Sequence, residues 1–170
     1  ALKDAHHGAA WNTWPAGLGQ RQPAARAAAS LEHKEAIAVH RFTQFLVDRQ
    51  WKEVHRYAND RGVQIMGDIP IFGAYDSADA WANQDLFRLG PNGLPREVAG
   101  VPPDAFTDDG QLWGNPGYDW QRHAETGYAW WIARVRTTLQ RVHLLRIDHF
   151  RGFAASWVVP AEAETAAAGH

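Results

Sequence analysis

Two short apolar runs, each preceded by a helical stretch and each leading into an aspartate, constrain the fold of this chain most. The first is Val63-Gln64-Ile65-Met66, which continues into Gly67-Asp68-Ile69-Pro70-Ile71-Phe72. The second is Val142-His143-Leu144-Leu145-Arg146-Ile147, which ends at Asp148. Both have the length and flanking signals of buried strands, and Pro70, with no N–H to give to a ladder, marks the end of the first. From about Ala24 to Arg61 the apolar residues Ile37, Phe42, Phe45, Leu46, Val47, Trp51, Val54 and Ala58 recur mostly at three- and four-residue steps. That spacing predicts a helix or a pair of helices, stopped at Arg61-Gly62, where glycine can take the left-handed terminating conformation. Tyr128, Trp131, Ile132, Val135 and Leu139 predict another helix over about 119–140. The order helix, strand, long connection, helix, strand predicts the α/β class, with Asp68 and Asp148 at the C-terminal ends of parallel strands. Barrel enzymes place their chemistry on that face. A doubly wound open sheet is the alternative, but no G-x-G-x-x-G follows either strand.

Residues 1–23 read as loop with a short helix at the start, broken by Gly8, Pro15, Gly17, Gly19 and Pro23. Residues 73–119 are rich in Gly, Pro, Asn and Asp, with a short helix expected from Ser77 to Phe87. A connection of that length inside a compact domain is usually functional. Two strands cannot close an eight-stranded barrel, which needs about 250 residues. The 170 residues are therefore expected to be part of a catalytic barrel domain in a longer protein, with 73–119 an inserted loop subdomain.

A formal charge of −2 leaves no basic field for nucleic acid. No apolar run reaches the length of a membrane span, and the N-terminus lacks a signal-peptide layout. With no cysteine there are no disulfides or thiolate metal sites, which fits a reducing, cytoplasmic setting. The nine histidines form no H-x-x-x-H or H-E-x-x-H pattern, so no metal is expected. Nine tryptophans are more than a core of this size needs. Trp11, Trp14, Trp81, Trp113, Trp120, Trp130, Trp131 and Trp157 stand near loop-forming residues, where flat aromatic faces suit sugars; core and interface packing are the alternatives.

The richest local chemistry is Arg146-Ile147-Asp148-His149. Side chains alternate along a strand, so Arg146 and Asp148 project to the same side. A cation there would keep the carboxylate ionised and ready to act as a nucleophile. An Asp–Arg pair that merely closes a strand end is the rival reading.

The surrounding motifs resemble a known family. Gly67-Asp68-Ile69-Pro70-Ile71-Phe72, Ala74-Tyr75-Asp76-Ser77-Ala78-Asp79, Trp81-Ala82-Asn83 and Val98-Ala99-Gly100-Val101-Pro102-Pro103-Asp104 are similar to segments of the amylomaltases, the 4-α-glucanotransferases of glycoside hydrolase family 77. So are Gly110-Gln111-Leu112-Trp113-Gly114-Asn115-Pro116, Gly127-Tyr128-Ala129-Trp130-Trp131 and Arg146-Ile147-Asp148-His149-Phe150-Arg151-Gly152-Phe153. The resemblance runs over essentially the whole chain. It implies a segment of a (β/α)8 TIM barrel of the α-amylase superfamily, holding the third and fourth strands and the loop subdomain between them. It also implies transfer of α-1,4-glucan segments between sugars by a retaining double displacement, without any cofactor.

In that family's terms Asp148 stands at the nucleophile and Arg146 at the arginine paired with it. His149 matches a residue that hydrogen-bonds sugar hydroxyls, with a structural strand-end role as the alternative. Asp68 matches either a sugar contact or an organiser of the site. Trp113 is similar to an aromatic lining the glucan path, with core packing as the alternative. Phe106 stands in a loop that closes over the acceptor side, but its usual aromatic partner is here Ala105. Gly73 stands where a β-branched residue is usual, which would loosen the strand exit, and His143 replaces an acidic residue. The resemblance places the acid/base glutamate and a further aspartate beyond His170, so this segment alone is expected to be inactive. The partners implied are maltooligosaccharides and amylose. An α-glucan hydrolase of the same superfamily and a non-catalytic glucan-binding module built on the tryptophans are the competing readings.

Overall fold

The computed structural model describes all 170 residues. Helix α1 (Leu2–Ala5), a 3₁₀ turn at Trp11–Thr13 and α2 (Ala16–Gly19) lead into α3 (Pro23–Glu32) and α4 (Lys34–Asn59). The stretch predicted over 24–61 is therefore a pair of helices hinged at His33. Pro23 opens α3 in the first turn, where its missing N–H is no loss. Beyond α4, Gly62 takes φ +68° and turns the chain toward β1 (Met66–Pro70).

Strand β1 starts later than its apolar run suggests. Ile65 N–H donates to His143 Nδ1 at 3.0 Å, and the Ile65 carbonyl accepts from the N–H groups of His143 and Leu144. A side chain thus takes a place a ladder partner would have filled. Strand β4 (Leu144–Asp148) pairs with β1 in parallel, in register Met66–Leu144, Asp68–Arg146 and Pro70–Asp148. Asp148 ends its strand as expected, whereas Asp68 is the third residue of five, directly opposite Arg146.

Between the two strands lie α5 (Ala78–Ala82), β2 (Glu97–Val101), β3 (Gln111–Pro116), α6 (Trp120–Glu125) and α7 (Ala129–Leu139). The region expected to be loop with one short helix therefore holds two strands. With β5 (Trp157–Pro160), which follows β4, they form an antiparallel sheet in the order β3-β2-β5. Gly100 makes the close β2–β3 approach possible, because a Cβ there would stand 2.5 Å from the Gln111 carbonyl oxygen.

The single helix predicted over 119–140 is broken. Asp119 caps α6 by accepting from Arg122 N–H, and Thr126 Oγ1 bonds back to the His123 carbonyl at 3.0 Å. Gly127 and Tyr128 then both take left-handed conformations, at φ +61° and +57°, which no α-helix can contain. The apolar residues that carry the helical spacing begin at Tyr128, so the spacing gives no sign of the break before it.

The main core joins Ile69, Ile71, Phe72, Leu86, Phe87, Tyr118 and Trp131, with Leu145 and Ile147 packed against it. It lies on one face of the β1–β4 pair, between that face, α7 and the intervening segment. The other face is open. Helix α4 buries none of its residues, so the stripe read from its sequence is uncovered, with Phe42 and Phe45 more than half exposed. It is tied to the approach of β4 by Trp51 Nε1, which donates to the Arg141 carbonyl at 2.7 Å, and by His55 stacked on His143 with centroids 4.0 Å apart. No helix is long and apolar enough to cross a membrane.

Candidate active site

Alternation along β1 and β4 divides their side chains cleanly. Ile69, Leu145 and Ile147 turn to the core, while Asp68, Pro70, Arg146 and Asp148 turn to the open face. Because Asp68 stands opposite Arg146 and Asp148 lies two residues beyond it, one guanidinium reaches both carboxylates. Arg146 Nη1 donates to Asp68 Oδ2 at 2.5 Å, and Nη2 donates to Asp148 Oδ1 at 2.5 Å. The planar fork of arginine suits this bridging role; a lysine ammonium would be a single point of contact. All three side chains are about half exposed, which leaves the far carboxylate oxygens open to a ligand.

His149 follows Asp148 at φ +52° and starts a 3₁₀ turn over Phe150–Phe153. A non-glycine residue held in that region costs on the order of 1 kcal/mol and is concentrated at functional sites. Its ring meets the edge of Trp113 at 5.1 Å and 81°, and Phe72 lies 6.5 Å away. Gly152 lets this turn close down on the end of β1, since a Cβ there would stand 3.2 Å from two Ile71 carbons. Strand β3 thus brings Trp113 from the second sheet to the His149 turn that follows Asp148. The Trp113 indole is 37% exposed, and its N–H donates to Gln111 Oε1 at 3.0 Å.

Phe106 lies elsewhere. It is 97% exposed at the tip of a turn in which Asp104 Oδ1 accepts from the N–H groups of Phe106 and Thr107. No other aromatic ring of the chain packs against it. Of the roles open to the tryptophans from sequence, sugar-facing or packing, the structure gives most of them packing. Trp11 and Trp131 are buried, and Trp120 and Trp130 pack against the core. The indole N–H groups of Trp11, Trp14, Trp81 and Trp157 donate to the carbonyls of Tyr75, Ala9, Leu18 and Ala166. Tryptophan here fastens irregular backbone, which explains its association with loop residues.

Three supporting residues were not foreseen. Asn115 Nδ2 donates to the Gly73 carbonyl at 3.0 Å, and Tyr118 Oη donates to the Ile71 carbonyl at 2.8 Å. Burial pushes the Tyr118 phenol up to about 12, so it remains a donor. Arg134 on α7 donates to the carbonyls of both Pro70 and Ile71. The exit of β1, expected to be loosened by Gly73, is tied down. His143, the other departure, has the backbone and stacking role described above.

Residues 1–170 match the family model described as 4-alpha-glucanotransferase, glycoside hydrolase family 77. The chain belongs to family 77. It is 49% identical over 170 residues to a 4-alpha-glucanotransferase of Synechocystis, covering 99% of this chain and 34% of that one. A 4-alpha-glucanotransferase of Thermus thermophilus is 47% identical over 169 residues, with the same coverage. The family 77 fold is equally evident in three dimensions. An amylomaltase from Streptococcus agalactiae, solved in complex with acarbose, superposes with a TM-score of 0.96 at 40% identity, over 100% of this chain and 34% of that one. The family 77 segment therefore spans about a third of the length of these relatives.

Proposed function

We propose that the protein carrying this segment is a 4-alpha-glucanotransferase that moves α-1,4-glucan segments from donor to acceptor glucans by a retaining double displacement. The observation that carries this reading is the Asp68–Arg146–Asp148 cluster on the open face of a parallel strand pair in a family 77 chain. Asp148 is the nucleophile. Its Oδ1 is held by Arg146, and the other oxygen attacks the anomeric carbon of the donor as the glycosidic C–O bond breaks, the leaving oxygen taking its proton from the acid/base glutamate. The covalent glycosyl intermediate then passes to the 4-hydroxyl of an acceptor sugar. Arg146 aims the carboxylate and carries the countercharge. Asp68 shares that cation and is placed to organise the site. His149 and Trp113, edge to face, offer an N–H and an aromatic face to the donor, and Phe106 a separate aromatic surface to the acceptor.

In this reading β1 and β4 are the third and fourth strands of a (β/α)8 barrel, and residues 1–170 are part of its catalytic domain. Segment 73–119 is the subdomain inserted between those strands. The acid/base glutamate comes from another part of the protein, and the substrates are maltooligosaccharides and amylose.

Asp148→Asn in the full-length protein tests the assignment. A carboxamide cannot form the covalent intermediate, so turnover of maltotriose is expected to fall by several orders of magnitude while the folded state persists. Near-normal turnover removes Asp148 from the role. Product analysis of the unaltered protein separates transfer from hydrolysis: transfer gives glucose plus longer maltodextrins, and hydrolysis gives only shorter chains.

A further inference from the structure

The exit of β1, Pro70–Gly73, has no ladder partners beyond Pro70, yet its carbonyls are claimed by side chains. Arg134 Nη2 donates to the Pro70 carbonyl at 2.7 Å and Nη1 to the Ile71 carbonyl at 3.1 Å. Tyr118 donates to Ile71 as well, and Asn115 takes Gly73. Of these, Arg134 alone spans two consecutive carbonyls. Its guanidinium is itself fixed, with its central carbon 4.8 Å from the Trp131 ring centroid and 5.4 Å from that of Trp130. Helix α7 is thereby fastened to the strand neighbouring β4, at the level of the candidate site.

What this fastening controls follows from packing. Pro70 stands opposite Asp148 in the register. Ile71, 1% exposed, meets Gly152, and Phe72 lies beside both His149 and Trp113. Any shift of Pro70–Gly73 is therefore passed to the turn after Asp148 and to the His149–Trp113 contact.

We propose that Arg134 is a positioning residue: by clamping the Pro70 and Ile71 carbonyls it holds the His149 turn in register with Asp148 without touching substrate. The kinetic consequence rests on the transferase reading, but the geometric one does not. A displacement of about 1 Å at a reacting group can lower turnover roughly a hundredfold. In the full-length protein, Arg134→Met is expected to lower kcat on maltotriose by about that factor while KM stays within about threefold. Arg134→Lys should fall between, because a single ammonium does not span two carbonyls as the fork does. Val135→Ala, on the same helix and packed on the core, is the control for general loss of stability.

A wild-type kcat in Arg134→Met overturns the proposal. So does an equal kcat loss in Val135→Ala at a matched fall in Tm. The crystal structure of Arg134→Met is the second readout, with Pro70–Gly73 displaced and the His149 ring drawn away from Trp113. If the unaltered protein neither transfers nor hydrolyses α-glucans, the transferase reading fails, and this crystal structure alone decides: an unmoved Pro70–Gly73 segment overturns the clamp.

Discussion

Arg146 and His123 show how differently a single residue can be placed in this chain. Arg146 is open to solvent and holds two carboxylates, so its worth lies in orientation more than in stability, exposed ion pairs contributing about 0–1 kcal/mol. His123 is 0% exposed among Tyr118, Trp120 and Trp130, and neither ring nitrogen makes a hydrogen bond of good geometry, although the Leu86 carbonyl lies near. Burial pushes the ring below its ordinary 6.5, opposed by the Leu86 carbonyl and the charges of Asp119 and Asp85. The unfolded chain therefore binds a proton more readily than the folded one. The fold keeps the full benefit of a neutral His123 above about pH 6.5 and loses it progressively as pH falls toward the lowered folded-state value. Replacement by phenylalanine removes the titration and keeps an aromatic ring. His123→Phe should therefore lose less Tm than the parent between pH 7 and pH 5. Parallel Tm profiles for the two would show that His123 does not carry the acid sensitivity.

At the scale of elements, a glycine inside β2 and one at the exit of β1 make opposite demands. At Gly100 an added Cβ would stand 2.5 Å from the Gln111 carbonyl oxygen, so Gly100→Ala must push β3 away from β2. A cost of about 1–3 kcal/mol is expected. At Gly73 the nearest atoms would lie 3.7 Å from a new Cβ, ordinary contact with Phe87 and Tyr118, and φ is not positive. Gly73→Ala should accordingly stabilise by about 0.4–1 kcal/mol through a less flexible unfolded chain. Urea unfolding of both variants checks the pair, and a destabilising Gly73→Ala would mean that the exit needs a conformation closed to alanine.

The same elements show what the sequence reveals and what it hides. The β1–β4 pair was legible because strand alternation needs only neighbouring residues, and alternation alone puts Arg146 and Asp148 on one side. Strands β2 and β3 were hidden because their pairing is long-range. Gln111-Leu112-Trp113-Gly114-Asn115-Pro116 has turn composition and becomes a strand only against Val98–Val101 and, through them, β5. The break at Gly127-Tyr128 was hidden because the apolar stripe lies wholly on its C-terminal side and says nothing about the turn before it. Arg134 escaped notice because helical spacing assigns an arginine between apolar neighbours to solvent, and only the tertiary fold brings it to the Pro70 and Ile71 carbonyls.

At the scale of the whole molecule, the cluster on the open strand face holds two aspartates and one arginine, and no glutamate joins them. On the proposed transferase reading, retaining transfer needs a second carboxyl group to protonate the leaving oxygen and later to take a proton from the acceptor. Asp68 stands beside Asp148 and shares its arginine, so the face offers no carboxyl group set apart for that second role. Residues 1–170 prepared alone should therefore bind glucan weakly at most and should not disproportionate maltotriose. The open face of α4, with Phe42, Phe45, Val54 and Tyr57 each more than half exposed, gives a second expectation. Exposed apolar area of that extent is uncommon on isolated monomers and usually marks a surface that packs against something. The 170-residue protein should bind a hydrophobic dye such as ANS and self-associate in a concentration-dependent way, whereas the full-length protein should do neither. Chromatography of maltotriose digests and dye titration across protein concentration test the two halves separately. Disproportionation by the segment would show that the second carboxyl group lies within these residues, and a dye-silent monomer would show that the α4 face needs no cover.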